Sequence, residues 1–198
     1  LNRDRADLHQ RADYTYKHNR HAGRHGWLRL TPAYSVKIVE AIIGTFDHPM
    51  RLLDPFCGTA TTALTASYLG HEAVTLDINP FLVWLGRVKT AFYSADTLHD
   101  TKVLSARIIA AINDIPQEAA DLPPLHNIER WWPEETLSFL SRLRRAIDSV
   151  SAAGTQEHDL LLAEMLAQLG FRSVECRPLR KRSSKKELIE FDVFAVWP

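Results

Sequence analysis

Apolar residues recur along this chain in two alternating rhythms, and the alternation predicts an α/β domain. Val36, Ile38, Val39, Ala41, Ile42 and Ile43 give one face of a helix that Thr31-Pro32 opens and Gly44 ends; proline near the first turn loses no hydrogen bond there. A short apolar run over 50–53, closed by Asp54-Pro55, reads as a buried strand. Residues 61–69 then read as a helix capped by Gly70, residues 73–78 as a second strand closed by Asn79-Pro80, and residues 81–92 as another helix. Strand–helix–strand–helix is the order of a parallel sheet with helices on its faces.

The pattern changes on both sides of this block. Residues 1–30 are polar, rich in His and Arg, and read as an arm leading into a main domain over 31–198. Residues 97–150 read as a helical insertion, with helical spacing over 101–112 and 134–150. Residues 159–169 are again helical and close at Gly170. Two strands follow, over 171–178 and 188–197, joined by Arg180-Lys181-Arg182-Ser183-Ser184-Lys185-Lys186. About four strands are fewer than the five or more of a doubly wound domain. Either the fold is reduced or the sequence omits stretches of a parent chain. Omission is favoured, with the break near 151–158, where Ser151-Ala152-Ala153-Gly154-Thr155 joins helix to helix without a strand.

Composition narrows the class. With 198 residues, 45% hydrophobic and 24% charged, the chain suits an ordinary soluble domain with a proper core. A formal net charge of zero argues against a generally basic nucleic-acid coat, though not against a local patch. Cys57 and Cys176 are far apart and lack metal-ligand spacing, so neither a disulfide framework nor a metal site is expected, and a reducing cytoplasm fits. No apolar run approaches a membrane span, and the charged first residues do not resemble a leader. The nine histidines, several of them clustered at His9, His18, His21 and His25, share no fixed face and suit a solvated or phosphate-contacting arm better than a metal site.

The chemistry concentrates in Leu53-Asp54-Pro55-Phe56-Cys57-Gly58-Thr59-Ala60-Thr61-Thr62. This segment leaves a strand and enters a helix, so it lies at the carboxyl edge of the sheet, where doubly wound domains bind ligands. Gly58 permits positive φ or close backbone approach. Asp54 suits a ligand ammonium or an ordered water. Asp77, about 20 residues past Gly58, stands where a carboxylate accepts from ribose hydroxyls. No Gly-Lys-Ser/Thr follows the glycine, which removes a phosphate loop, and no GxGxxG is present, which removes the dinucleotide fingerprint. Cys57 reads as a small turn residue, and Lys37 as a solvated helix face or a ligand contact.

Asp54-Pro55-Phe56-Cys57-Gly58-Thr59-Ala60-Thr61-Thr62 resembles the DPFCGTGTT-type cofactor motif of amino-directed DNA methyltransferases, with Ala60 where glycine is commoner. Thr75-Leu76-Asp77-Ile78-Asn79-Pro80 is similar to the acidic strand end that holds the ribose in that family. Thr31-Pro32-Ala33-Tyr34-Ser35-Val36-Lys37, with His25-Gly26 upstream, resembles the segment placed against the methionine end of the cofactor. The resemblance covers 25–95 and 159–198. It implies a Rossmann-like methyltransferase fold, mostly parallel and closed by a C-terminal antiparallel hairpin. It also implies S-adenosyl-L-methionine as cofactor, contacted by Thr31, Pro32, Lys37, Asp54, Pro55, Phe56, Gly58, Thr59, Thr61, Asp77, Ile78 and Asn79.

The implied activity is methyl transfer to an exocyclic amine of a DNA base, adenine N6 or cytosine N4, in a restriction–modification or related defence system. The family's catalytic (Asp/Asn/Ser)-Pro-Pro-aromatic motif is not found. Asp121-Leu122-Pro123-Pro124-Leu125-His126 has no aromatic and follows a helix, so the catalytic residues stay unassigned. Arg177, Arg180, Lys181, Arg182, Lys185 and Lys186 put six cations within ten residues, a footprint for DNA phosphates or a solvated hairpin tip. Trp131-Trp132 suits base stacking or helix packing. Two other functions remain open: an RNA amino-methyltransferase, and a non-catalytic cofactor-binding subunit of a larger defence assembly.

Overall fold

A computed structural model describes residues 12–28, 30, 33–116, 127–128 and 132–172. The chain divides into two compact units, Leu1–Ala91 and Phe92–Pro198. The described part is α/β, mostly helical, with one small parallel sheet of two strands. Among the described residues no helix is long and apolar enough to cross a membrane.

The first unit opens with three short 3-10 helices, Ala12–Tyr14, Tyr16–His21 and Gly23–Gly26. They carry no helical period, yet Tyr16, Asn19 and His25 are buried. Asn19 explains why this polar stretch is ordered. Its side-chain amide donates to the Tyr34 carbonyl at 2.9 Å and its carbonyl accepts from the Val36 amide at 2.8 Å. Tyr34 itself forms an antiparallel bridge with Thr15. That bridge holds the chain extended up to Ser35, so helix α1 spans Val36–Ile43 and not a helix opened at Thr31-Pro32; Ser35 is its cap, accepting from the Lys37 amide at 3.2 Å.

Strand β1 (Arg51–Asp54) leads through a loop into α2 (Thr61–Tyr68), then β2 (Glu72–Thr75) and α3 (Pro80–Thr90). The strands pair in parallel, with Leu52 opposite Ala73 and Asp54 opposite Thr75. Leu52 and Ala73 pack on Val39 and Ile43 of α1 and Ala66 of α2. Each fully buried aliphatic side chain such as Leu64 contributes about 1.5–3 kcal/mol. The opposite face, carrying Leu53, Val74 and Leu76, is exposed. The second strand is shorter than the predicted 73–78 because Asp77 turns the chain, its Oδ1 accepting from the Asn79 amide at 2.9 Å. Asn79 caps α3 by accepting from Phe81 at 3.0 Å, and Pro80 fills the first helical position.

The second unit contains α4 (Ala95–Ala111), α5 (Glu134–Val150) and α6 (Gln156–Arg172). Ile108, Leu143, Ala146, Ile147 and Leu161 form their common core. Residues 151–155, where the sequence suggested a break, form a hydrogen-bonded turn with Gly154 at φ +86°. Across that turn Ser151 Oγ and His158 Nδ1 lie 3.0 Å apart. Helix α6 continues through Gly170, since one glycine costs a helix only about 1 kcal/mol. It also takes in Phe171 and Arg172, the start of the predicted strand 171–178, and the rest of the predicted C-terminal strands and hairpin lies outside the described residues.

Candidate functional site

The loop from β1 to α2 is built by its own hydrogen bonds. Asp54 ends β1, and its Oδ1 accepts from the Phe56 amide at 3.0 Å. The Cys57 amide reaches the Leu76 carbonyl at 2.8 Å, stitching the loop to the end of the neighbouring strand. Gly58 (φ 51°) and Ala60 (φ 60°) both adopt the left-handed conformation, which swings the chain from strand direction into α2. Glycine takes that conformation freely, whereas alanine pays about 1–2 kcal/mol. Ala60 is nevertheless fully buried, so packing holds it there.

Two carboxylates flank this loop. Asp77 Oδ2 accepts from the Gly58 amide at 2.9 Å while its Oδ1 holds Asn79. The amides of Asn79 and Gly58 keep the Asp77 carboxyl below its ordinary pKa, and therefore charged. Asp54 has its second oxygen, Oδ2, buried without a hydrogen bond of ordinary geometry, and the Tyr34 hydroxyl interacts with this carboxylate. Burial pushes the Cys57 thiol up, and the Asp54 and Asp77 carboxylates add to the shift. The thiol is thus protonated and inert. Tyr34 closes the other side, its hydroxyl 2.6 Å from Thr62 Oγ1; its pKa is raised mainly by burial and also by the nearby Asp54.

The arrangement selects for ligand charge. The amides of Phe56, Cys57, Gly58 and Ala60 all have acceptors within the protein, so this loop does not offer them to an anion as a phosphate loop would. What it offers is carboxylate. The charged Asp77 can accept from vicinal hydroxyls, and Asp54 adds a second carboxylate at the start of the loop. Ile78 is fully exposed and Phe56 83% exposed, leaving apolar surface beside both acids. A groove of about 330 Å³, lined in part by Tyr34, Ile38, Ile42, Leu52, Leu53 and Thr62, adjoins the loop.

Not every predicted residue joins this cluster. Asp54, Pro55, Phe56, Gly58, Thr59, Thr61, Asp77, Ile78 and Asn79 belong to the loop and the adjoining strand end. Thr59 Oγ1 and Thr61 Oγ1 are buried against each other at 3.2 Å, which gives them a packing role. Lys37 pairs with Asp13 at 3.5 Å. Thr31 and Pro32 lie outside the described residues, as do Arg180, Lys181, Arg182, Lys185 and Lys186. Sequence reasoning missed Lys89, which is fully buried under the loop and donates from Nζ to the Thr59 carbonyl. The available signal was its position four residues after Leu85, on the apolar face of α3.

Over 68 residues the chain is 35% identical to the type II methyltransferase M.BsoBI of Geobacillus stearothermophilus. A third of the chain is similar to a methyltransferase. The match covers 33% of this chain and only 13% of that relative. No family model matches, and no solved structure matches.

Proposed function

We propose that this chain is the cofactor-binding part of an S-adenosyl-L-methionine-dependent DNA amino-methyltransferase, acting on adenine N6 or cytosine N4 in a restriction–modification or defence setting. The observation that carries the reading is the placement of two carboxylates on one left-handed loop, Asp54 holding the Phe56 amide and charged Asp77 the Gly58 amide. The likeness to a type II methyltransferase supports it. Asp54 would take the ammonium of the methionine end, Asp77 the ribose hydroxyls, and Phe56 and Ile78 the flanks of the base. The bound cofactor supplies an electrophilic methyl group. The chain's task is to hold the nucleoside and exclude water from it. A Rossmann-like sheet completed by further strands would cover the exposed Leu53, Val74 and Leu76, since parallel strands are ordinarily buried on both faces. We place the Pro-Pro-aromatic loop in parent sequence absent from this chain, and assign Arg180, Lys181, Arg182, Lys185 and Lys186 to DNA phosphates.

Calorimetry with S-adenosylhomocysteine tests the core of this reading. The chain binds it, and Asp77→Ala weakens binding about tenfold or more through loss of charge-assisted hydrogen bonds. Equal affinity in the two proteins removes Asp77 from the site, and no binding by the unaltered chain removes the function. Tritium transfer from labelled cofactor into duplex DNA or tRNA, using the parent protein, then identifies the acceptor.

A further inference from the structure

Lys89 occupies a place that stability alone does not explain. It is completely buried on the inner face of α3, and its Nζ donates to the carbonyl of Thr59. Thr59 sits between Gly58 and Ala60, the two left-handed residues of the cofactor loop. The backbone of α3 is held tightly beneath that loop. A Cβ at Gly86 would come within 3.3 Å of Cys57 Sγ and 3.4 Å of Ala60 Cβ, so the helix and loop meet where glycine allows it. At the C-terminal end of α3, Arg24 Nη1 donates to the carbonyls of Lys89 at 2.9 Å and Ala91 at 2.7 Å. The lysine is therefore anchored at its backbone and grips the loop with its tip.

Withdrawing an ammonium from water is costly, and here burial lowers its pKa to about 8. A methionine of nearly the same shape would fill the space without that penalty. The gain specific to lysine is a strong donor to a carbonyl in a strained turn. We propose that Lys89 is a positioning residue for the cofactor site, holding the Thr59 carbonyl so that the Gly58–Ala60 turn presents Asp54 and Asp77 to the ligand. The ligand half of this proposal rests on the function proposed above; the grip on the loop does not.

The test compares the full chain with its Lys89→Met variant by three measurements. Thermal unfolding is expected to change little, because removal of a buried charge offsets the loss of the donor to the Thr59 carbonyl. Without ligand, amide exchange over 55–60 is expected to rise, with exchange over 64–68 of α2 unchanged. The dissociation constant for S-adenosylhomocysteine is expected to rise roughly tenfold, as for a lost hydrogen bond to a charged group. A merely structural lysine gives the opposite signature, with lower stability and faster exchange throughout the first unit, and that result overturns the proposal. Unchanged loop exchange and affinity overturn it too. Should Lys89→Met not fold, Lys89→Gln decides, since its shorter neutral arm fills the site but does not reach Thr59. Weakened binding with the fold retained supports the proposal; wild-type affinity, or loss of the fold in both variants, overturns it. If the unaltered chain does not bind S-adenosylhomocysteine, the proposed function fails, while the exchange measurement still judges the lysine's hold on the loop.

Discussion

Acid should destabilise the first unit through a single histidine. His25 is only 3% exposed, and neither ring nitrogen has a hydrogen-bond partner. Its ring stands edge-on to Tyr68, with centroids 6.0 Å apart and planes at 78°. Burial, and secondarily the charge of Lys89, lowers its pKa from 6.5 to about 4. The folded chain therefore binds fewer protons than the unfolded chain between these values, so stability rises with pH across that window and falls on acidification. The shift of 6.5 − 4 = 2.5 units sets a ceiling of about 3 kcal/mol at about 1.36 kcal/mol per unit. Relaxation around the charged ring trims the expected loss between pH 7 and 4.5 to about 2 kcal/mol. Urea titrations read by pulsed hydrogen exchange of the α2 peptide report this unit alone. The His25→Leu variant supplies the baseline. Its stability should depend less on pH by that amount and equal or exceed that of the unaltered chain at pH 7, since two unsatisfied polar atoms disappear. Parallel pH profiles for the two proteins would refute the reasoning.

The remaining expectations concern packing. Ala60→Val puts a β-branched side chain at φ 60° in a fully buried position, and should cost at least about 2 kcal/mol in a urea titration. Ala60→Gly relieves about 1 kcal/mol of left-handed strain but loses a buried methyl of similar worth, so stability should stay within about 1 kcal/mol. Leu161→Ala should cost the helical unit about 2–5 kcal/mol, because the side chain is fully buried among Ile108, Leu143 and Ile147; a loss under about 1 kcal/mol by the same titration would mean that this core is not formed.

The parts of this structure that were legible in the sequence are those fixed by local chemistry. Asp54-Pro55 marks a strand end and Gly58 a left-handed turn, and each stands where its residue types predict, whereas Asn79-Pro80, read as closing a strand, opens α3. Helix α5 matches its predicted bounds because its apolar residues keep a regular period. What was not legible depends on distant partners. The entry to α1 was read from Thr31-Pro32, whereas Thr15 and Asn19, some twenty residues upstream, hold Tyr34 extended and move the helix start to Val36. Residues 12–26 read as a polar arm because their buried groups include Asn19 and His25, which carry no hydrophobic signal. Lys89 escaped for the same reason: a charged residue on an apolar face reads as an interruption until its acceptor is known.

The electrostatic character of the site follows from how the loop spends its donors. A strand–loop–helix with a glycine ordinarily invites a phosphate, because free amides and a helix start favour negative charge. Here the two carboxylates and neighbouring carbonyls accept from the Phe56, Cys57, Gly58 and Ala60 amides, and the buried Lys89 ammonium is turned toward Thr59 from within. Asp77 is thereby held ionised. A backbone that could cradle a phosphate instead presents carboxylate, and so favours donors over anions.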